Sequence, residues 1–275
     1  MSPVGTGQRI EVIAHNTATA SANKIHDDAV ARRYGFGGGL VPGVDVYAYM
    51  TRPAAATWGL DWLLSGTMQA RFLAPVYEGQ TVVVVAGEPT TGAAGPTMAI
   101  ELRAADGTVC ATGEAGLPGP DGDPPPLSTW PVGAQAVDPP EASPRSLAPG
   151  TALRLAGHRF RTDQAGDYLA DVSEDLPLYR DAGVAHPGWL LRDANHVLSA
   201  NVRLGPWIHV ESRVRHHSLV RDGATVEARA VVTREWSHKG HRFVELDVGH
   251  VADGERIVAR VSHTAIYRPR APGEP

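Results

Sequence analysis

Cysteine is nearly missing from this chain. A single residue, Cys110, excludes both a disulfide framework and a thiolate metal site. It lies in the alternating run TVCATGEA and reads as a buried strand thiol, with no neighbour in sequence to activate it as a nucleophile. Lysine is almost as scarce, with only Lys24 and Lys239, and the other basic residues are arginine. A net charge of −5 without a basic block or an aromatic RNA-binding signature argues against a nucleic-acid partner. Long hydrophobic runs are missing too. Stretches such as Val82–Ala86 are strand-length and cannot cross a bilayer. Residues 1–9 lack the apolar core of a secretory signal, so a cytoplasmic location is expected. No G-x-G-x-x-G follows a strand, and Gly37-Gly-Gly39 runs into a Val-Pro-Gly step rather than a nucleotide loop. No H-E-x-x-H or Cys/His set occurs among the twelve histidines. His216 and His217 are adjacent and point to opposite faces of a strand, while His238 and His241 flank a Lys-Gly turn. No bound metal is therefore expected.

What the sequence does hold is enough apolar residue for one large core or two small ones: 43% hydrophobic and 20% charged over 275 residues. A first strand is expected at 10–15, a short helix at 27–34 with Asp27 and Asp28 in its first turn, and a longer helix at 44–58 kinked or broken at Pro53. Two β-rich runs follow, 67–87 and 97–117. The stretch from 117 to 149 contains PGPDGDPPP and SPRSLAPG. It reads as a linker, because proline at that density forms neither a helix nor a central strand. The pattern then restarts: strand-like HRFRT, a helical run at 189–204, and β-rich runs at 208–236 and 240–267. Gly43 and Gly188 are 145 residues apart, Gly79 and Gly223 are 144 apart, and Gly107 and Gly254 are 147 apart. An offset this constant marks an internal repeat. Each copy is an α+β unit in which an antiparallel sheet wraps one long helix. The expected organisation is an N-terminal copy at 1–117, a linker at 118–149 and a C-terminal copy at 150–275. The two sheets are expected to join edge to edge, which covers exposed strands.

The chemistry is expected in SANKIHDDAVARRYGFGGGLVPG, residues 21–43. Ser21, Asn23 and His26 form a polar trio before a glycine-rich turn and the start of a helix. His26 reads either as a general base or as a locally bonded helix-start histidine. Asn23 either orients it or caps the helix. Ser21 is a turn or cap residue, since no G-x-S-x-G elbow surrounds it. Gly43 and Gly188 open helices, where free N–H groups and the helix dipole suit a developing enolate oxygen.

The pattern formed by Asn23, Ile25, His26, Asp28, Gly35, Phe36 and Gly43 resembles the MaoC-like, or hydratase 2, branch of the hotdog superfamily. The repeat extends the resemblance to a double hotdog over nearly the whole chain. The resemblance implies an acid/base pair of Asp and His acting on a thioester, an assisting Asn23, and a Gly43 N–H that binds the thioester oxygen. Here Ser21 stands at the family's Asp position and Lys24 at its Pro position. In the second copy Glu174, Leu176 and Tyr179 replace the Asp, Asn and His, so that copy reads as degenerate. Pro187-Gly-Trp-Leu190-Leu-Arg-Asp193-Ala194 also resembles the helix start of β-hydroxyacyl-carrier-protein dehydratases, which implies Asp193 as an acid opposite His26 in one composite site. The expected activity is a hydratase or dehydratase lyase on an enoyl or 3-hydroxyacyl thioester of CoA or an acyl carrier protein, without redox or metal cofactor. An ordered water held by Ser21 and Asn23 is the alternative to Asp193 on the hydroxyl side. Rival readings are a hotdog thioesterase using Asp193, a non-catalytic acyl- or partner-binding protein, and a repurposed elimination or cyclisation enzyme of secondary metabolism. Assembly of pseudo-dimers into a homo-oligomer fits any of them.

Overall fold

The computed structural model describes residues 7–118, 124–133, 135 and 137–270. The expected linker lies partly outside the described residues, as do residues 1–6. The first half runs β1 (Gln8–Ile13), α1 (Asp28–Arg33), α2 (Gly43–Ser65), β2 (Thr67–Phe72), β3 (Thr81–Ala86), β4 (Thr90–Gly92), β5 (Gly95–Ala104) and β6 (Val109–Gly116). The second runs β7 (Ala152–Arg159), α3 (Thr162–Asp171), α4 (Leu178–Ala182), α5 (Pro187–Ser199), β8 (Ile208–His216), β9 (Thr225–His238), β10 (His241–Ala252) and β11 (Arg256–Arg268).

One sheet of eleven strands holds both halves, in the order β1-β3-β5-β6-β2-β8-β11-β10-β9-β7, with β4 paired to β5. Read inward from either end, the two halves have the same order. They meet where β2 pairs antiparallel with β8, Met68 opposite Val214 and Arg71 opposite Glu211. Neither β2 nor β8 is left as an open edge, which is the arrangement expected of two sheets that must hide their inner edges.

The long helices explain why the sheet curls. Val44, Tyr47, Met50 and Ala54 of α2, and Leu191, Ala194, Val197 and Leu198 of α5, are buried against the inner sheet face in one shared core. Burying such side chains contributes roughly 1.5–3 kcal/mol each for the larger ones. Pro53 does not break α2. The helix runs through it and departs from helical geometry only at Gly59, at φ 56° and ψ −137°, which glycine adopts without steric cost. Cys110 is buried, with burial raising the pKa of its thiol. In the described part of the proline-rich stretch, Trp130 and Leu147 are buried anchors, while most of the described residues of 131–141 are exposed. Trp130 is fully buried with Val251 and Ile257, and a Cβ on Gly249 would sit within 2.6 Å of its ring. No helix among the described residues is long and apolar enough to cross a membrane.

Candidate active site

The site begins at a short 3-10 turn, Lys24–His26, capped by Asn23. The Asn23 Oδ1 accepts the Ile25 N–H at 3.3 Å and the Trp207 N–H at 3.1 Å, from opposite halves of the molecule. Two backbone donors on one oxygen fix the amide's orientation. Its Nδ2 therefore donates to the Trp207 carbonyl at 3.0 Å and to His26 Nε2 at 3.3 Å. His26 Nδ1 lies 2.7 Å from the Leu40 carbonyl oxygen, which can only accept. Nδ1 thus carries the proton and Nε2 keeps its lone pair. Burial lowers the His26 pKa, outweighing the Leu40 carbonyl and the Asp45 charge that raise it, so the ring is a neutral base.

The glycine-rich turn is built for this placement. A Cβ on Gly39 would collide with the His26 carbonyl, so the chain passes closely only because that residue is glycine. Asp28 Oδ1 accepts the Gly39 N–H at 2.8 Å, and Asn16 Nδ2 donates to the His26 carbonyl at 3.0 Å. Asp27 caps α1 through the Val30 N–H at 3.0 Å.

His26, Asn23 and Gly43 line one cavity of ≈ 200 Å³ with Asn195 and His209, its walls otherwise apolar, Phe36 and Phe72 among them. Gly43 opens α2 after Pro42, which supplies no side-chain cap, and the Gly43 N–H makes no hydrogen bond among the described residues. A helix N-terminus with a free donor at the wall of an apolar cavity is a place for a developing negative oxygen. No carboxylate lines the cavity among the described residues.

Two expected site residues lie elsewhere. Ser21 is not at the cavity, and its Oγ accepts the Asn23 N–H at 3.1 Å, as a turn residue does. Asp193 does not share the cavity with His26 either. Its buried carboxylate faces its own half and meets His158 Nε2 at 2.8 Å and 3.0 Å, with His196 Nδ1 at 3.7 Å. Burial pushes this carboxyl up, but hydrogen bonds from His158 and His196 more than offset that and leave it below its ordinary value. The hydrogen bond from Asp193 raises the His158 pKa in turn. The Asp193 carboxylate is thus held by histidines of its own half.

In the second half the matching space is filled. The Gly188 N–H is capped by His186 Nδ1 at 3.0 Å, and a Cβ on Gly188 would run into the Tyr168 hydroxyl. Tyr168 and Tyr179 are buried with rings 5.5 Å and 4.7 Å from His186, and Glu174 lies 3.7 Å from the same histidine. In this copy, among the described residues, the loss of the motif goes with aromatic packing around the helix opening.

Sequence reasoning had no hold on Asn195, Trp207 or His209. Asn195 is brought to the cavity from α5, and its Oδ1 is closed to solvent without a hydrogen-bond partner. His209 stands at the start of β8, where the β2–β8 junction sets it against Gly43.

No protein-family model matches the chain, and no curated protein matches it. Solved structures do. A MaoC-like dehydratase aligns over 96% of this chain and 98% of its own at 14% identity and a TM-score of 0.63. A Mycobacterium tuberculosis protein described as having a double hotdog fold aligns over 96% of each at 15% identity and a TM-score of 0.61. A Novosphingobium aromaticivorans protein provisionally assigned as a thioesterase aligns over 94% and 95% at 13% identity and a TM-score of 0.58. At such identities the likeness establishes the fold: the chain is a double hotdog.

Proposed function

We propose that this double hotdog is a carbon–oxygen lyase of the hydratase/dehydratase type, acting on an enoyl or 3-hydroxyacyl thioester. One observation carries the reading. The uncharged His26, its Nε2 held by the Asn23 amide, lines the same apolar cavity into whose wall α2 opens with an unbonded Gly43 N–H. A thioester oxygen at Gly43 acidifies the α-carbon, and a nearby neutral imidazole is the base that such a carbon needs.

In the dehydration direction, His26 Nε2 takes the α-proton while the carbonyl electrons move onto the oxygen held at Gly43. As they return, the α,β double bond forms and the β-carbon–oxygen bond breaks. The proton on Nε2 passes to the departing hydroxyl, which leaves as water. Asn195, whose Oδ1 is otherwise unpartnered, holds the hydroxyl. Thioester conjugation itself supplies the acidity, so the step calls on neither a redox group nor a metal. The acyl carrier is CoA or the phosphopantetheine of a carrier protein. Asn23 acts through His26 and through its clamp on Trp207, as a positioning residue.

The test is the absorbance of the conjugated thioester with crotonyl-CoA and 3-hydroxybutyryl-CoA. His26→Ala is expected to lower turnover by about 10²–10⁴-fold, the usual worth of a positioned general base. The acid limb of the pH–rate profile should fall below pH 6.5, because burial depresses the His26 pKa. Release of free thiol without loss or gain of the double bond would overturn the lyase reading in favour of hydrolysis.

A further inference from the structure

The cavity holds a second histidine. His209 is 6% exposed, lines the cavity, and leans on the opening of α2: a Cβ on Gly43 would lie 2.9 Å from its Nδ1. That Nδ1 is buried and has no hydrogen-bond partner. The other nitrogen is occupied. Nε2 lies 2.8 Å from Ser212 Oγ, which lies 3.0 Å from His263 Nδ1. All three groups are buried, and the two rings stand 4.3 Å apart. The ring is also held edge-on by Phe72 at 4.7 Å.

We propose that His209 is a catalytic residue of the oxyanion site, its Nδ1–H converging with the Gly43 N–H on the thioester oxygen, and that Ser212 and His263 hold the tautomer this requires. The inference rests on the thioester reading of the cavity given above. A hydrogen-bond chain running His263 Nδ1–H to Ser212 Oγ, then Ser212 O–H to His209 Nε2, uses every proton of the triad once. It leaves the His209 proton on Nδ1, facing the opening of α2. It also leaves His263 Nε2 bare, and that atom is without a partner. Run the other way, the chain puts a bare nitrogen beside Gly43, where a negative oxygen would be repelled. An oxygen gaining charge at Gly43 therefore selects the first direction. Burial depresses both imidazole pKa values, so the donor is a neutral ring, and no buried cation is needed. A neutral N–H aimed at the place where charge develops stabilises the transition state more than the ground state.

The experiment has a spectroscopic arm and a kinetic arm. The His26→Ala protein should hold crotonyl-CoA labelled with ¹³C at the thioester carbonyl without turning it over. The bound carbonyl stretch is expected to move to lower wavenumber than that of the free thioester. Adding His209→Leu should remove much of that shift, and adding His209→Asn, whose amide Nδ2 stands near the place of Nδ1, should restore it. With His26 intact, His209→Leu should lower kcat by about 10²-fold with little change in KM. His209→Asn should recover most of the loss, and Ser212→Ala should fall between. Thermal midpoints confirm that the variants are folded. A carbonyl shift unchanged by His209→Leu, or a folded His209→Asn no better than His209→Leu, overturns the role of His209 and leaves the lyase reading standing. If the thioester neither binds nor reacts in the protein with both histidines intact, the reading of the cavity itself fails, and this inference falls with it.

Discussion

Asp193 and Asn195 are two residues apart on α5, and roughly 200° of helix separates them. That angle decides which of them faces the His26 cavity. Asp193 turns to β7 of its own half and pairs with His158, while Asn195 turns across the interface to the His26 cavity. Asp193→Asn is therefore expected to weaken the fold by about 1–3 kcal/mol, since it uncouples a buried carboxylate from a half-exposed histidine. It should leave turnover within a few-fold. Urea unfolding and steady-state kinetics on the same preparation check this, and a hundredfold loss of kcat in a protein of unchanged stability would return Asp193 to the site. A short-motif resemblance over residues 187–194 favoured the aspartate, which sits five residues after a helix-opening glycine. Counting along a helix does not say which of two nearby faces looks into a cavity. His26, Asn23 and Gly43 could be singled out because they lie within one continuous stretch, and the structure places all three on one cavity. His209 was not, because it is one of twelve histidines, and only the pairing of β2 with β8 brings it to Gly43.

At the scale of elements, the two helix-opening glycines are alike in sequence and opposite in surroundings. A Cβ on Gly188 would meet the Tyr168 hydroxyl and stand 2.7 Å from the Ala48 Cβ, where α5 crosses α2. The Ala48 side cannot yield, because it belongs to the wall of a packed helix. A Cβ on Gly43 would crowd the His209 side chain, 2.9 Å from its Nδ1 and 3.2 Å from its Cβ, at the wall of the cavity. Gly188→Ala should thus destabilise by about 1–3 kcal/mol or more through overpacking, with the chemistry largely kept. Gly43→Ala should cost less stability and depress kcat, since it displaces His209 and crowds the oxygen position. Denaturant midpoints and kcat for the pair separate the two outcomes, and equal effects on both measures would contradict the assignment. The repeat made the matching of these helices readable from a constant glycine offset. It could not show that aromatic side chains from α3 and α4 pack around the second helix opening. That packing depends on where Tyr168 and Tyr179 point, not on where they fall in the chain. Pro53 misled because a long helix packed along its length tolerates one lost backbone bond, and α2 departs from helical geometry at Gly59 instead.

Across the whole molecule, the continuous sheet and the start of α5 carry many histidines inward. His186, His209, His216, His250 and His263 are all buried. Burial lowers the pKa of each, to about 3 for His216 and His263. In the unfolded chain these rings take up protons near pH 6.5. The folded protein takes them up only at lower pH, far lower for His209, His216 and His263. Stability contributed this way is complete above pH 6.5 and is lost as pH falls from there toward the folded-state values, by up to about 1.4 kcal/mol per pH unit for each ring. His158 works in the opposite sense: Asp193 raises its pKa, so its contribution is present below pH 6.5 and is lost as pH rises through the folded value. One half-exposed ring cannot balance five buried ones. The urea midpoint should therefore be nearly level between pH 8 and 7 and should drop steeply between pH 6.5 and 5.5, before carboxylates begin to protonate. Because β2–β8 pairing, the Asn23–Trp207 clamp and the Asp45–Arg192 bond at 2.8 Å all cross from one half to the other, the loss should appear as one transition by far-UV circular dichroism and by tryptophan fluorescence. A midpoint that stays level to pH 5.5 would mean that these rings reach water or partners in the folded state. Two separated transitions would mean that the halves hold together less tightly than the shared sheet and core imply.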